Sequence, residues 1–150
     1  MTPRQLRARS SHLPETAWTG EVAQWYDSLV GEKGSAYQKD LVFPGVLKLL
    51  EPKKGERILD LACGQGAFCS VLQKLGVDVT GLDASEELVK IARERSTGKV
   101  RYVVGDASRL DVFPPESFDA IVCILAIQNI DPMESVISGC GQVIKPGGRL

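Results

Sequence analysis

The sequence predicts an α/β fold: a doubly wound parallel sheet, with leading helices packed in front of it. Three observations carry that expectation. Short apolar runs at 57–61, 77–82, 100–104 and 118–127 alternate with stretches of helical periodicity, and such alternation builds βαβ units with right-handed crossovers. The run at 118–127 is apolar almost throughout, as a strand covered on both faces must be. Carboxylates close the first three runs, at Asp60, Asp83 and Asp106, and a doubly wound sheet collects its ligand at the carboxyl ends of its strands.

The chain of 150 residues suits one domain, large enough to bury roughly 70% of the surface its unfolded form exposes. A formal net charge of -1 gives no general electrostatic grip on nucleic acid or on a membrane, so small-molecule partners are favoured. The four cysteines, Cys63, Cys69, Cys123 and Cys140, form no CxxC pair, and the one histidine is His12; no metal site is expected. Free thiols of this kind fit the reducing cytoplasm. No apolar run approaches the roughly eighteen residues that a membrane-spanning helix needs.

Taken in order, residues 1–14 carry Arg4, Arg7 and Arg9 with no acidic residue and read as a flexible basic arm before a domain at 15–150. Val22, Trp25, Tyr26 and Leu29 stand at helical spacing, and a Gly-Glu-Lys-Gly break at 31–34 separates them from a second helix through Tyr37, Leu41, Val46, Leu47, Leu49 and Leu50. The first stripe is expected to pack against the sheet. Tyr26 and Tyr37 flank a glycine-bounded loop able to fold over a ligand.

The first strand, Arg57–Leu61, enters the turn Ala62-Cys63-Gly64-Gln65-Gly66. Glycines there can take positive φ and admit a ligand to backbone contact, while the helix that follows offers free N–H groups. That helix carries Phe68, Val71, Leu72 and Leu75 and stops at Gly76. The second strand ends at Asp83, and Ser85 suits the N-cap of a helix with Glu86 and Glu87 in its first turn and Leu88, Ile91 and Ala92 inward, ending near Arg95. The third strand leads into Gly105-Asp106-Ala107, and the fourth spans 118–127. Asp131-Pro132-Met133-Glu134 has the sequence of a capping box with Asp131 as N-cap, opening a helix to about Ile144. Lys145-Pro146-Gly147-Gly148 reads as a turn, and Arg149-Leu150 as the opening of a fifth strand.

Asp83 lies about twenty residues beyond the glycine turn, where a carboxylate accepts hydrogen bonds from a ribose diol. Asp106 and Ala107 stand where an adenine edge would be read. Two adenosine cofactors fit: a nicotinamide dinucleotide or S-adenosylmethionine. A dinucleotide fingerprint puts glycine or alanine where Cys69 stands. The Tyr-x-x-x-Lys pair of short-chain dehydrogenases is also missing, since Val30, Leu41 and Asp106 follow Tyr26, Tyr37 and Tyr102 by four.

The order Asp60-x-Ala62-Cys63-Gly64-x-Gly66 resembles the first motif of class I S-adenosylmethionine-dependent methyltransferases. With Asp83, Gly105-Asp106-Ala107, the fourth strand and Lys145–Leu150, the resemblance runs from about residue 22 to residue 150. It is greatest to the small-molecule branch that includes ubiquinone and menaquinone C-methyltransferases. The resemblance implies a Rossmann-like sheet of strand order 3-2-1-4-5, a truncated form of the seven-stranded methyltransferase fold. It implies S-adenosylmethionine as cofactor, S-adenosylhomocysteine as product, and a small-molecule methyl acceptor reached by in-line displacement. The cofactor residues it implies are Tyr26, Tyr37, Asp60, Ala62, Gly64, Gly66, Asp83, Ala84, Asp106, Ala107 and Ile124.

The chain departs from the family pattern at four places. Ala62 replaces a commoner glycine and fits if its φ is negative. Ile127-Gln128-Asn129-Ile130 stands where nucleic-acid and glutamine methyltransferases carry Asn-Pro-Pro-Tyr. Gln128 and Asn129 also replace a histidine common in relatives, so no catalytic base is assigned; positioning alone drives much of such a transfer. The short ending is expected to leave the fourth-strand edge open to self-association as a homodimer. The alternatives are a fragment that binds the cofactor without turnover and an NAD-dependent oxidoreductase.

Overall fold

The computed structural model describes residues 16–150; the expected basic arm and His12 lie outside them. Five parallel strands form one sheet in the order β3-β2-β1-β4-β5, with β1 at Arg57–Leu61, β2 at Asp78–Asp83, β3 at Arg101–Val104, β4 at Phe118–Cys123 and β5 at Ile144–Arg149. The helices are α1 (Gly20–Val30), α2 (Phe43–Leu50), α3 (Ala67–Lys74), α4 (Glu86–Arg95) and α5 (Met133–Val143). A single π-helical turn, Gln38–Val42, leads into α2. The doubly wound order is the one the sequence predicts. The chain winds outward from β1 to β3 and returns to β4, so the reversal falls between β1 and β4, where Leu61 stands opposite Cys123.

Alternation along β1 divides the core into two layers. Ile58 joins Val79, Phe68, Leu72 and Val89 beneath α3 and α4, with Phe43 and Leu50 of α2 completing that layer. Leu59 and Leu61 join Leu82, Ile121 and Phe118 beneath Val136, Cys140 and Val143 of α5. Burying each of these aliphatic side chains stabilises the fold by about 1.5–3 kcal/mol. Ser85 caps α4 as expected, accepting the Leu88 N–H at 3.2 Å. Among the described residues, no helix is long and apolar enough to cross a membrane.

Four expectations are corrected. The stripe Val22, Trp25 and Leu29 of α1 faces outward, at 44%, 58% and 58% exposure, and the helix buries Ala23 and Val30 instead. β4 ends at Cys123 and not at Ile127, because its partner β1 ends at Leu61; Leu125 then takes φ +53° and a short 3-10 turn follows at Ile127–Asn129. Asp131 is not the cap of α5: Pro132 occupies that position in extended backbone, with no side-chain cap. Lys145–Gly148 is not a turn ahead of β5 but an irregular part of it, looping out between the pairs Phe118–Ile144 and Ala120–Arg149. β5 therefore covers the first half of the β4 edge, and Ile121–Cys123 lie beyond these pairs.

Candidate functional site

The ends of β1, β2 and β3 converge with the glycine turn. Cys63 N–H bonds to the Leu82 carbonyl at 3.1 Å and Gly66 N–H to the Cys63 carbonyl at 3.0 Å, which bends the chain sharply back toward α3. The bend needs left-handed backbone, and φ is +55° at Ala62, +55° at Gly64 and +82° at Gly66. Ala62 thus departs from the expected negative φ. Its Cβ pays the left-handed penalty of about 1–2 kcal/mol, held in place by the two flanking glycines and the β1–β2 pairing. Gly66 is the cap of α3 and supplies no side-chain acceptor to its first turn, leaving donors at the start of the helix.

Asp83 fixes the turn from the neighbouring strand. One carboxylate oxygen accepts Gly64 N–H at 2.8 Å and the other accepts Ser85 N–H at 2.8 Å. A carboxylate has about four lone-pair sites, so both oxygens keep acceptor capacity. Burial raises the Asp83 pKa, against the lowering by its two backbone donors. Asp60, at the end of β1, is 3% exposed and accepts the Cys69 thiol at 3.3 Å. Burial pushes its carboxyl up to about 7, with the Cys69 contact opposing and the charge of Asp83 adding.

A sulfur and aromatic cluster backs the turn. A Cβ at Gly81 on β2 would stand 2.8 Å from the Cys63 sulfur and 3.0 Å from both the Cys69 sulfur and Tyr102 Cδ1, so only glycine lets the strand approach. A Cβ at Gly66 would overlap the Tyr102 hydroxyl. The neighbouring Cys63 thiol and burial raise the Cys69 pKa well above its ordinary value, leaving Cys69 a packing group.

The structure brings Tyr26 to this turn. Its Cε1 lies 3.4 Å from where a Gly64 Cβ would be, and Trp18 packs edge-on to its ring at a centroid distance of 5.2 Å. Tyr37, at 59% exposure, stands on the solvent side. Asp106 spends one oxygen on Ser108, accepting its N–H at 2.8 Å and its hydroxyl at 2.7 Å, with the other oxygen outside that turn. Ala107 is buried, Ala84 is half-buried, and Ile124 packs at the rim of the α3–α4 layer.

Three contributors were not read from the sequence. Gln65, 4% exposed, donates from Nε2 to the Gly31 carbonyl at 3.2 Å; a polar residue between glycines reads as solvated, and no signal marks it otherwise. Asp27 pairs with Arg95 across 68 residues of sequence, beyond the reach of any local pattern. Leu125 sits 54% exposed in left-handed backbone at the β4 end; the run of apolar residues around it hid the break.

A 3-2-1-4-5 sheet with a glycine turn after β1, and carboxylates at the ends of β1 and β2 and just after β3, defines a Rossmann-like α/β domain with its ligand crevice beside that turn. The family model described as a methyltransferase domain matches residues 59–150, and the chain belongs to that family. It is 36% identical over 99 residues to the ubiquinone biosynthesis O-methyltransferase of Xanthomonas campestris pv. campestris, covering 64% of this chain and 41% of the relative. Among solved structures it resembles phosphoethanolamine N-methyltransferase 2 of Haemonchus contortus in complex with S-adenosyl-L-methionine, at TM-score 0.73 and 28% identity, covering 99% of this chain and 34% of that one. The PH0226 protein of Pyrococcus horikoshii gives TM-score 0.73 and 29% identity over 87% of this chain and 63% of its own. The chain spans 41% to 58% of the length of the curated relatives it matches.

Proposed function

We propose that the protein is an S-adenosylmethionine-dependent methyltransferase acting on a small-molecule acceptor. One observation carries the reading: Asp83 holds Gly64 N–H on one oxygen and Ser85 N–H on the other, so the acid suited to a ribose diol also shapes the turn suited to the methionine end. The relatives named above act on small molecules by their names, and one solved neighbour holds S-adenosylmethionine.

The residues fit that group. Ala62, Gly64 and Gly66 form a left-handed cradle with a buried carboxylate, Asp60, beneath it for the ammonium. Asp83 and Ala84 take the ribose, Asp106 and Ala107 the adenine edge, and Ile124 the apolar face of the base. Tyr26 closes the turn from above, and Tyr37 reaches the crevice only from its solvent side. When bound, S-adenosylmethionine supplies an electrophilic methyl group on a sulfonium. The protein's contribution is orientation and exclusion of water for an in-line displacement, with Gln128 and Asn129 after β4 and no base assigned. Gln128 is held by its own turn, donating to the Leu125 carbonyl at 2.9 Å.

Four free cysteines support a reducing, cytoplasmic setting. The outward edge of β4 beyond Ala120 supports self-association as a homodimer, which sedimentation at several concentrations tests. Transfer of labelled methyl from S-adenosylmethionine to a panel of phenols, quinones, amines and carboxylates tests the activity. Labelled product from one acceptor class is expected; cofactor binding with no transfer to any acceptor would contradict the enzymatic reading.

A further inference from the structure

Helix α1 is held to the domain largely by polar contacts. Its buried residues are Ala23 and Val30, while Val22, Trp25 and Leu29 face outward. The polar contacts are few and specific. Arg95, in the last turn of α4, meets Asp27 with both terminal nitrogens, Nη2 donating to Oδ2 at 2.8 Å and Nη1 to Oδ1. Gly20 N–H donates to Glu87 at 3.2 Å, and Gln65 reaches the Gly31 carbonyl just past the end of the helix.

Asp27 directly follows Tyr26, whose ring packs over Gly64. We infer that Asp27 and Arg95 are positioning residues for the cofactor: their ion pair fixes α1 against α4 so that Tyr26 stays over the glycine turn. Exposed ion pairs contribute little, but this pair is a two-point fork with side chains only 33% and 18% exposed, the geometry in which such pairs orient what they join. Gln65 adds a second tie between the glycine turn itself and the end of α1, so ordering of the turn by a ligand and docking of the helix reinforce each other. The inference rests on the cofactor reading above.

Both tryptophans, Trp18 and Trp25, lie in this segment, and Trp18 packs on Tyr26, so intrinsic fluorescence reports its docking. The test titrates S-adenosylhomocysteine into the wild-type chain, Arg95→Met, Asp27→Asn, the swapped pair Asp27→Arg with Arg95→Asp, and Arg95→Met combined with Tyr26→Ala. Each single variant is expected to bind about fivefold more weakly, with faster release and red-shifted emission before ligand is added. The swap restores most of the affinity, and Arg95→Met adds no loss once Tyr26 is gone. Wild-type affinity in both single variants overturns the inference alone, as does an undiminished loss in the Tyr26→Ala background. If Arg95→Met does not fold, Asp27→Asn and the swapped pair decide. A wild-type chain that binds no S-adenosylhomocysteine overturns the cofactor reading and this inference with it.

Discussion

The carboxylate of Asp83 accepts the backbone N–H of Gly64 at 2.8 Å, across 19 residues of sequence. One side chain therefore links the end of β2 to the turn that follows β1. Asp83→Ala leaves the Gly64 and Ser85 N–H groups unmatched and removes the ribose acceptor. It is expected to weaken S-adenosylhomocysteine binding by about 1.5–3 kcal/mol, read by calorimetric titration of a folded variant. Unchanged affinity would remove Asp83 from the site.

Ala62 sits in left-handed backbone at φ +55°, where a Cβ is penalised and glycine is not. Ala62→Gly is expected to stabilise the protein by about 1 kcal/mol after the entropy of the more flexible unfolded chain is counted. Urea denaturation should show a higher midpoint at the same slope. A lower midpoint would mean that the alanine methyl contributes packing that offsets its strain.

Gly81 leaves no space for a methyl group between two sulfurs and an aromatic ring. Gly81→Ala is expected to destabilise the fold by about 1–3 kcal/mol through overpacking and to disturb the glycine turn behind which the cluster lies. A melting temperature equal to wild type would show that Cys63 and Tyr102 can move aside freely.

Asp60 gives the site a pH dependence. Burial, chiefly, raises its pKa to about 7 from a model-peptide value of 3.8, so between these the folded state holds a proton that the unfolded state has lost. Its contribution to stability is whole below about pH 4 and declines as pH rises toward 7. Ionised Asp60 is the form that pairs with a ligand ammonium, so affinity for S-adenosylhomocysteine is expected to rise through pH 7 with proton release on binding. Asp60→Asn should flatten that rise; an unchanged profile in the variant would assign it to another group.

Sequence patterning located the sheet because each strand brings a complete local signal. β1 occupies Arg57–Leu61 as expected, and the acids at 60 and 83 stand at strand ends with Asp106 just past the end of β3. What it missed depends on partners elsewhere. Where β4 stops is set by where β1 stops opposite it, at Leu61 and Cys123, and an apolar run gives no sign of that. Helical spacing identified α1 but chose the wrong face, because Trp25 and Leu29 are more hydrophobic than Ala23 while the close approach to α4 admits only the smaller side chain. Asp27–Arg95 and Gln65–Gly31 are long-range contacts between residues that look solvated in isolation. Pro132 took the cap position that the capping-box pattern gave to Asp131, a choice of backbone conformation that composition does not encode.

The most direct test of the account is calorimetric titration of the chain with S-adenosylhomocysteine, S-adenosylmethionine and NAD in parallel. Stoichiometric binding of the first two, lost or sharply weakened in Asp83→Ala, with no heat from NAD, is the result expected of a crevice built from Asp60, the Gly64–Gly66 turn, Asp83 and Asp106. Preferential binding of NAD, or no binding of either sulfur ligand by the folded chain, would contradict it.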